Sequence, residues 1–568
     1  MQNLLTENRP EFSFISDEPR LSVVEDPLYG IQSPIGENAL ETLLDNDYAI
    51  PLLLAGKFGE YLHSVESISP QVKERYPKIL IYQATAMLFS EFSKKKIEVL
   101  LDKAEQLDQQ RAFEGEILTL RGILESHAGD PERGIELSQK AFTCIEQSNT
   151  FFKNLLERNL GVAFTLKGDL INANKWLEKF LMSSFIMRDW VGVLAAYNYL
   201  TFIRKIQGRL KEAKVIYRKA LAFIDSHHLE ALPHSIKIIS GYGSLHLHWH
   251  RIQEAKFYFS KAIYFAKKSD PHYAFTAYKN LCEAYMRDND NQSALSVIDQ
   301  LQDLFAAGSD LYEKIHYQST LAIQARVSLQ LGRLDLAYEW LRKSKIDQST
   351  SEDLQKRFGY ILGYIMPIAA QIYTSMGETN KAIEKLNAVI PKFLFHGANA
   401  FLIRALSALA AAYYQKGQKH KAHETLKKAI KIALPEDNLG DFIFVGKSLT
   451  PLVEDLHKSG WASEFTHRLL KILIKLNIKN HNQHNQVKKT SQLSQRELDV
   501  LELLAKGMTN QQIAQSLFLS SNTIKSHSIK IYRKLNVKNR NQAVIRARAM
   551  GILPVTRQSI QEGFHAIL

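Results

Sequence analysis

LSQRELDVLELLAKGMTNQQIAQSLFLSSNTIKSHSIKIYRKLNVKNRNQAVIRARAMG, running from Leu493 to Gly551, divides into four short helices, each with its own start signal. Ser494 followed by Glu497 forms a capping box for a helix reaching about Lys506, where Gly507 ends it. Thr509 with Gln512 repeats the device for Asn510 to Leu517. Ser520 or Ser521 caps a third helix, Asn522 to about Leu535, and Asn539 with Gln542 starts a fourth that runs to Met550 and stops at Gly551. Apolar residues recur at helical spacing in each: Val500, Leu501 and Leu504; Ile513, Ala514 and Leu517; Ile524, Ile531 and Leu535; Ala543, Val544 and Ala547. Helices this short are not stable alone, so the four must share one small core.

Away from that core the third helix offers Lys525, Lys530, Arg533 and Lys534, with no acidic residue between Ser521 and Leu535. Two short helices joined by a tight turn, the second basic on its open face, form a helix-turn-helix suited to a DNA major groove. Charge is concentrated here. From His481 to Leu568 thirteen Lys/Arg face four Asp/Glu, which supplies +9 of the whole chain's +13. Basic residues so placed suit contact with phosphates.

These residues resemble the LuxR-type (LuxR/FixJ) helix-turn-helix domain. The likeness is dense, through Arg496, Glu497, Val500, Leu501, Gly507, Asn510, Ile513, Ala514, Thr523, Lys525, His527, Ile531, Lys534, Leu535, Val537, Arg540, Ala543 and Ala547. It implies a recognition helix centred on the TIKSH run, Thr523 to His527, and a last helix that pairs two such domains on DNA. Residues Asn522 to Lys530 would then enter the major groove. Lys525 and Lys530 would meet bases or phosphates, with Asn522, Ser526 and Ile529 on the same helix. Thr509, Asn510, Thr523, His527 and Arg540 would position the DNA backbone, and Lys534 would also belong to the DNA-binding set. Ile529 stands where some members carry a second base-contacting lysine. It can still touch a thymine methyl.

The other four-fifths of the chain is helical in pattern and carries a period. Tight-turn residues fall at Gly129, Gly168, Gly208, His250, Asn289, Gly332, Gly377 and Gly417, at spacings of 39 to 45 residues. Five residues after each stands a small one: Gly134, Ala173, Ala213, Ala255, Ala294, Ala337, Ala382 and Ala422. Alanine recurs twelve after the turn at Ala141, Ala220, Ala262 and Ala429. Small residues there let the second helix of a pair lie close to the first. Gly and Asn suit a turn that needs a left-handed residue, and His250 departs from that rule. A weaker pair places Phe92 at its turn, with Ala104 twelve later, and another starts at Gly56.

Nine or ten antiparallel pairs stacked as a right-handed solenoid are expected, with helices longer than the roughly 34-residue repeat of the tetratricopeptide (TPR) arrays they resemble. The predicted class is all-α: a TPR-like solenoid of antiparallel helix pairs followed by a four-helix LuxR-type domain. Residues 1–38 read as an irregular arm and 39–478 as the repeat domain, closed by a capping pair. Residues 479–490 read as a polar flexible linker, 491–553 as the DNA-binding domain and 554–568 as a tail. This order resembles the MalT-like class of regulators. In that class an ATP-binding switch domain precedes the repeats, and this chain is expected to lack it.

Composition excludes other classes. Two cysteines, Cys144 and Cys282, without a CxxC spacing make neither a disulfide framework nor a zinc ribbon. No signal peptide or membrane span is apparent, so a cytoplasmic protein without membrane contact is expected. Gly440 to Ser448, GDFIFVGKS, is one residue too long for a phosphate loop and sits in a helical run. His246, His248 and His250 have metal-ligand spacing but no acidic residue close in sequence, so they read as packed or solvated. No catalytic set assembles, and neither cofactor nor metal is expected. Aromatics at Tyr197, Tyr199, Phe202, Tyr242, Tyr273, Tyr278, Tyr360, Tyr364, Tyr413 and Tyr414 sit on first helices, some facing a concave groove.

A DNA-binding transcription regulator follows, with double-stranded DNA and RNA polymerase as partners and a homodimer on DNA. An unidentified small ligand or protein would occupy the groove. The competing reading is a TPR scaffold with weak DNA contact, which a flat salt dependence would favour.

Overall fold

The structure, a computed structural model, describes residues 46–490, 493–549 and 553, apart from 55, 70–72, 74–75, 91–93, 147, 307–309, 350–361, 518, 536 and 538. The expected arm (1–38) and tail (554–568), with Phe92, Tyr360, Met550 and Gly551, lie outside the described residues. The described residues contain helices and no strand.

Among the described residues ten helix pairs follow one another. They are α1 Asn46–Leu54 and α2 Phe58–Glu66, α3 Pro77–Phe89 and α4 Lys94–Leu107, α5 Glu114–Ala128 and α6 Pro131–Cys144, α7 Thr150–Lys167 and α8 Leu170–Ile186, then α9 Trp190–Ile206 and α10 Leu210–His227. The series continues with α11 Pro233–His248 and α12 Ile252–Lys268, α13 Phe275–Arg287 and α14 Asn291–Ala306, α15 Asp310–Gln330 and α16 Leu334–Ser344, α17 Leu362–Ser375 and α18 Thr379–Phe395, α19 Asn399–Gln415 and α20 Lys419–Ala433. Each helix packs against its neighbours in sequence, and first helices also pack on first helices. This is the expected TPR-like solenoid.

All eight turn residues read from the period have left-handed backbones, with φ from +56° at His250 to +97° at Gly129. At seven of them the same pair of hydrogen bonds closes the first helix. At Gly208, for example, the Gly208 N–H donates to Lys205 O (3.0 Å) and the Arg209 N–H to Arg204 O (2.8 Å). That is the Schellman closure, which needs a left-handed residue at this one position. His250 closes its helix the same way, through Leu247 O and His246 O. The small residue five places on is buried in every pair, and its seven alanines have no exposed surface. At Gly134 a methyl group would run into the Ser126 hydroxyl and the Gly122 carbonyl, so this pair is close enough to require glycine.

The solenoid also returns upon itself. The Lys211 N–H donates to Glu436 Oε2 (2.8 Å) and Trp249 Nε1 donates to Glu436 O (3.0 Å), across about two hundred residues of sequence. Helix α9 packs on α19, and Gly208 lies where an added Cβ would come within 3.1 Å of the Asn399 Cβ. Closing the array are α21 Gly440–Val445, a 3-10 turn Gly446–Leu449, α22 Thr450–Lys458 and α23 Ser463–Thr490. The GDFIFVGKS run is therefore helix and turn. Its Gly440 sits against the Leu247 carbonyl, and its Gly446 ends α21 with φ +79°.

One expectation changes. The segment 479–490, read as a flexible linker, continues α23 to Thr490 as helix. Its sequence is polar, but it holds no Pro or Gly to stop a helix once the apolar turns before it have started one.

Candidate nucleic-acid interface

Four helices follow: α24 Gln495–Ala505, α25 Asn510–Leu517, α26 Ser521–Leu535 and α27 Arg540–Ala549. All four start signals are used. Ser494 and Glu497 form a reciprocal capping box on α24. At α25 the Gln512 N–H donates to Thr509 Oγ1 (3.3 Å) while the Thr509 N–H donates to Gln512 Oε1 (2.8 Å). Ser520 Oγ accepts from the Thr523 N–H (3.1 Å), and Asn539 Oδ1 from the Gln542 N–H (2.9 Å). Val500, Leu501, Ile513, Ile524, Ile531, Ala543 and Ala547 are without exposed surface in one shared core.

Three long polar side chains brace this core. Arg496 donates to Leu517 O (2.7 Å), tying α24 to the end of α25, and Arg540 donates to Leu504 O (2.7 Å), tying α27 to the end of α24. Lys534 Nζ reaches the buried carboxylate of Glu497 at 2.6 Å. Burial pushes that carboxyl upward, but the Lys534 ammonium and the Ser494 N–H outweigh it and leave Glu497 below the usual range.

The outer side of α26 is a different surface. Asn522, Lys525, Ser526, Ile529, Lys530 and Arg533 are all exposed, at helical spacing, opposite the buried Ile524, Ser528, Ile531 and Leu535. Ile529, the one large apolar residue among the six, is 59% exposed. Thr509 and Asn510 are exposed at the start of α25, the neighbouring helix that packs on α26. Of the remaining expected residues, Thr523 is half-buried with its hydroxyl on Ser520 (2.8 Å), and His527 is half-buried at the rim. Lys534 and Arg540 are half-buried and engaged within the domain, a use that their charge and spacing in the sequence do not announce. Arg533 joins the exposed set by its place on the same stripe.

In the array, His246 is packed among Tyr242, Tyr258 and Trp249, His248 faces Asp441 at 3.5 Å, and His250 is the turn residue. Among the described residues no group of three or more His, Cys, Asp or Glu is arranged to hold a metal ion. No described helix is long and apolar enough to cross a membrane. Of the first-helix aromatics, Tyr242 and Tyr278 are core, while Tyr199, Phe202 and Tyr364 are half-buried.

The molecule is thus a helical-repeat array carrying a helix-turn-helix domain after it. Comparison with known proteins gives that class its family. Residues 115–459 match the family described as MalT-like TPR region, and the chain belongs to it. Residues 491–547 match the bacterial regulatory proteins, luxR family. HTH-type transcriptional regulators MalT of Klebsiella pneumoniae subsp. pneumoniae and of Cronobacter sakazakii are each 24% identical to this chain over 507 residues, covering 84% of it. The chain spans about half the length of these curated relatives, 54% in each case. Among solved structures, a STAND signal-transduction ATPase with a tetratricopeptide repeat sensor from Pyrococcus horikoshii is similar at 15% identity. That likeness covers 75% of this chain and 65% of the other, with a TM-score of 0.34.

Proposed function

We propose that this chain is a DNA-binding transcription regulator in which the repeat array receives a signal and governs how the C-terminal domain engages DNA. The observation that carries the reading is the exposed stripe Asn522, Lys525, Ser526, Ile529, Lys530 and Arg533 on a helix whose opposite side is core. Such a stripe offers cations to phosphates, amide and hydroxyl groups to base edges, and one apolar side chain to a thymine methyl. Thr509 and Asn510, at the start of α25, reach the phosphate backbone in this reading. Thr523, His527, Lys534 and Arg540 set the pose of α26 more than they read sequence. Two copies on paired half-sites, recruiting RNA polymerase, complete the proposal.

The test is a binding measurement on the full chain, using duplexes enriched by the protein from a random pool. The expected result is a strong salt dependence, with affinity falling as salt rises. Lys525→Ala with Lys530→Ala should weaken binding at least tenfold and flatten the slope by about 2, about 1 for each phosphate no longer neutralised. Binding unaffected by the double substitution would reject the surface, and a slope near zero in the parent chain would favour a scaffold.

A further inference from the structure

A cluster of charged side chains from several repeats carries charge that its own residues do not neutralise. Counting back from the turn residue, Lys279, Glu283 and Arg287 occupy α13 at positions ten, six and two before Asn289. Spacings of four place them on one side of the helix. Arg326 on α15 stands six before its turn, and Arg404 on α19 thirteen before its own. These residues meet because the solenoid closes. Helix α9 lies on α19 and α11 on α21, so side chains from distant repeats converge.

Three guanidiniums are matched to two carboxylates. Glu283 pairs with Arg287 at 2.6 Å and, through its other oxygen, with Arg326. Asp441 accepts from Arg404 Nε at 2.6 Å and from Asn438 Nδ2 at 2.6 Å, with His248 at 3.5 Å. Two lysines are left over. Lys205 donates to the Ser244 hydroxyl at 3.3 Å and lies 5.9 Å from the centre of the Tyr217 ring. Lys279 lies 5.5 Å from the centre of the Tyr364 ring. Among the described residues no carboxylate pairs with either. Burial, then repulsion by neighbouring cations, pulls both ammonium groups down to about 8: Lys279 and Arg404 act on Lys205, and Arg404 acts on Lys279. Both side chains keep some accessible surface, so they border space and are not packed into core.

We propose that Lys205 and Lys279, with Arg404 beside them, form a binding site for a small molecule bearing two or more negative charges as phosphate or carboxylate. Two lysines and an excess guanidinium leave about three positive charges unmatched in a secluded place. Seclusion strengthens their attraction for an anion, compared with the same charges in bulk water. A small ligand is favoured over an acidic peptide because the cluster lies among helices that pack together where distant repeats meet, α9 on α19 and α11 on α21. The half-buried ring of Tyr364, beside Lys279, gives the ligand's carbon frame something to lie on. The proposal rests on the reading of the array as the signal-receiving part, and names the ligand class.

The experiment uses the full chain, with inorganic pyrophosphate and citrate as probes and sucrose as the uncharged control, read by calorimetry and thermal shift. Saturable binding of pyrophosphate, of citrate, or of both is expected, and the probe that binds tells phosphate from carboxylate. Lys205→Met with Lys279→Met should weaken that binding at least tenfold while leaving the melting temperature equal or higher, since it removes unmatched charge. Lys279→Arg should retain binding within about threefold, the size of change that 0.65 kcal/mol makes. The Lys525→Ala, Lys530→Ala protein should bind the probes unchanged, which excludes the DNA-binding domain as their site. No binding of either anion, undiminished binding by the double Met variant, or binding of polyglutamate in their place would overturn the proposal. DNA binding by the parent chain is measured separately. Its loss with anion binding intact would reject the regulator reading alone, and the converse would reject only this site.

Discussion

Arg404 and Asp441, 37 residues apart, join α19 to α21 through a 2.6 Å bond whose carboxylate has no exposed surface. Asp441 is buried, which would raise it, yet Arg404, His248 and Asn438 hold it far below the usual carboxylate range. A charge so placed is tolerated only while its partners remain.

Asp441→Asn should therefore destabilise the array by about 3–5 kcal/mol, the cost of leaving one buried charge without its mate. Because the folded pKa is depressed, the stabilisation is full above the unfolded carboxylate value near 4 and is lost as pH falls through the lower folded value. Denaturant titrations of parent and variant should differ by a constant amount from pH 7 to 8, above the range in which His248, coupled to Asp441, takes up a proton, and converge only in strong acid. A difference that varied with pH across that range would contradict the assignment.

Lysines of α26 should divide by what they touch. Lys534→Ala removes the partner of the buried Glu497, so it should cost about 1–3 kcal/mol of domain stability and weaken DNA binding as a consequence. Lys525→Ala touches nothing in the domain's core and should change stability by less than about 0.5 kcal/mol while reducing the salt slope by about 1. Paired thermal and gel-shift measurements separate the two. Equal thermal effects would mean that the Glu497 pair contributes nothing.

The turn register and the buried alanines were legible because they are local. A left-handed residue at Gly208 and a close helix crossing at Ala213 each follow from a few neighbouring side chains. His250 was the ambiguous case: its type argued against the conformation, but its place in the period was right. What was not legible depends on distance. Nothing near Gly440 announces that its hydrogen faces the Leu247 carbonyl, and nothing near Lys211 announces Glu436. Several return turns also hold a left-handed residue, at Arg111, Arg188, His228, Lys345, Gly397 and Asp437, but these share no residue type, so no pattern marks them. In the C-terminal domain the four caps and the core were readable from spacing. Lys534 and Arg540 join the expected interface through the resemblance and their charge, and neither says whether a lysine faces outward or meets a buried Glu497.

Glycine-to-alanine substitutions should distinguish turn strain from contact across the superhelix. Gly129 has φ +97° and open space around an added Cβ, so Gly129→Ala should cost only the left-handed penalty, about 1–2 kcal/mol. Gly168 has φ +89°, and its added Cβ would meet the His396 ring at 3.1–3.2 Å, more than two hundred residues away. Gly168→Ala should therefore cost more, and His396→Ala should bring it back toward the Gly129 value. A double-mutant cycle on these two positions measures the difference. Zero coupling would mean that the two segments do not touch.

Lys205 and Lys279 should make stability depend on pH in the opposite sense to a surface lysine. Their folded pKa values, about 8, lie below the unfolded value near 10.4, so the unfolded chain binds more protons in that window. Stability then rises with pH from about 8 to about 10 as the two ammonium groups neutralise. The other charged groups around them are Arg287, Arg326, Arg404, Glu283, Asp441 and His248. Burial also lowers Arg287 and Arg326, to about 9 and about 10, a contribution of the same sign that parent and variant share, so it is the gap between the two proteins that isolates the lysines, while Asp441 stays ionised and His248 is lowered by burial. Without added anion, the double Met variant should melt above the parent at pH 7, and the gap should close by pH 10. Bound pyrophosphate or citrate should close it at pH 7 as well, because the anion supplies the charge that the array lacks. A gap that persisted at pH 10 would place its origin in packing and not in charge.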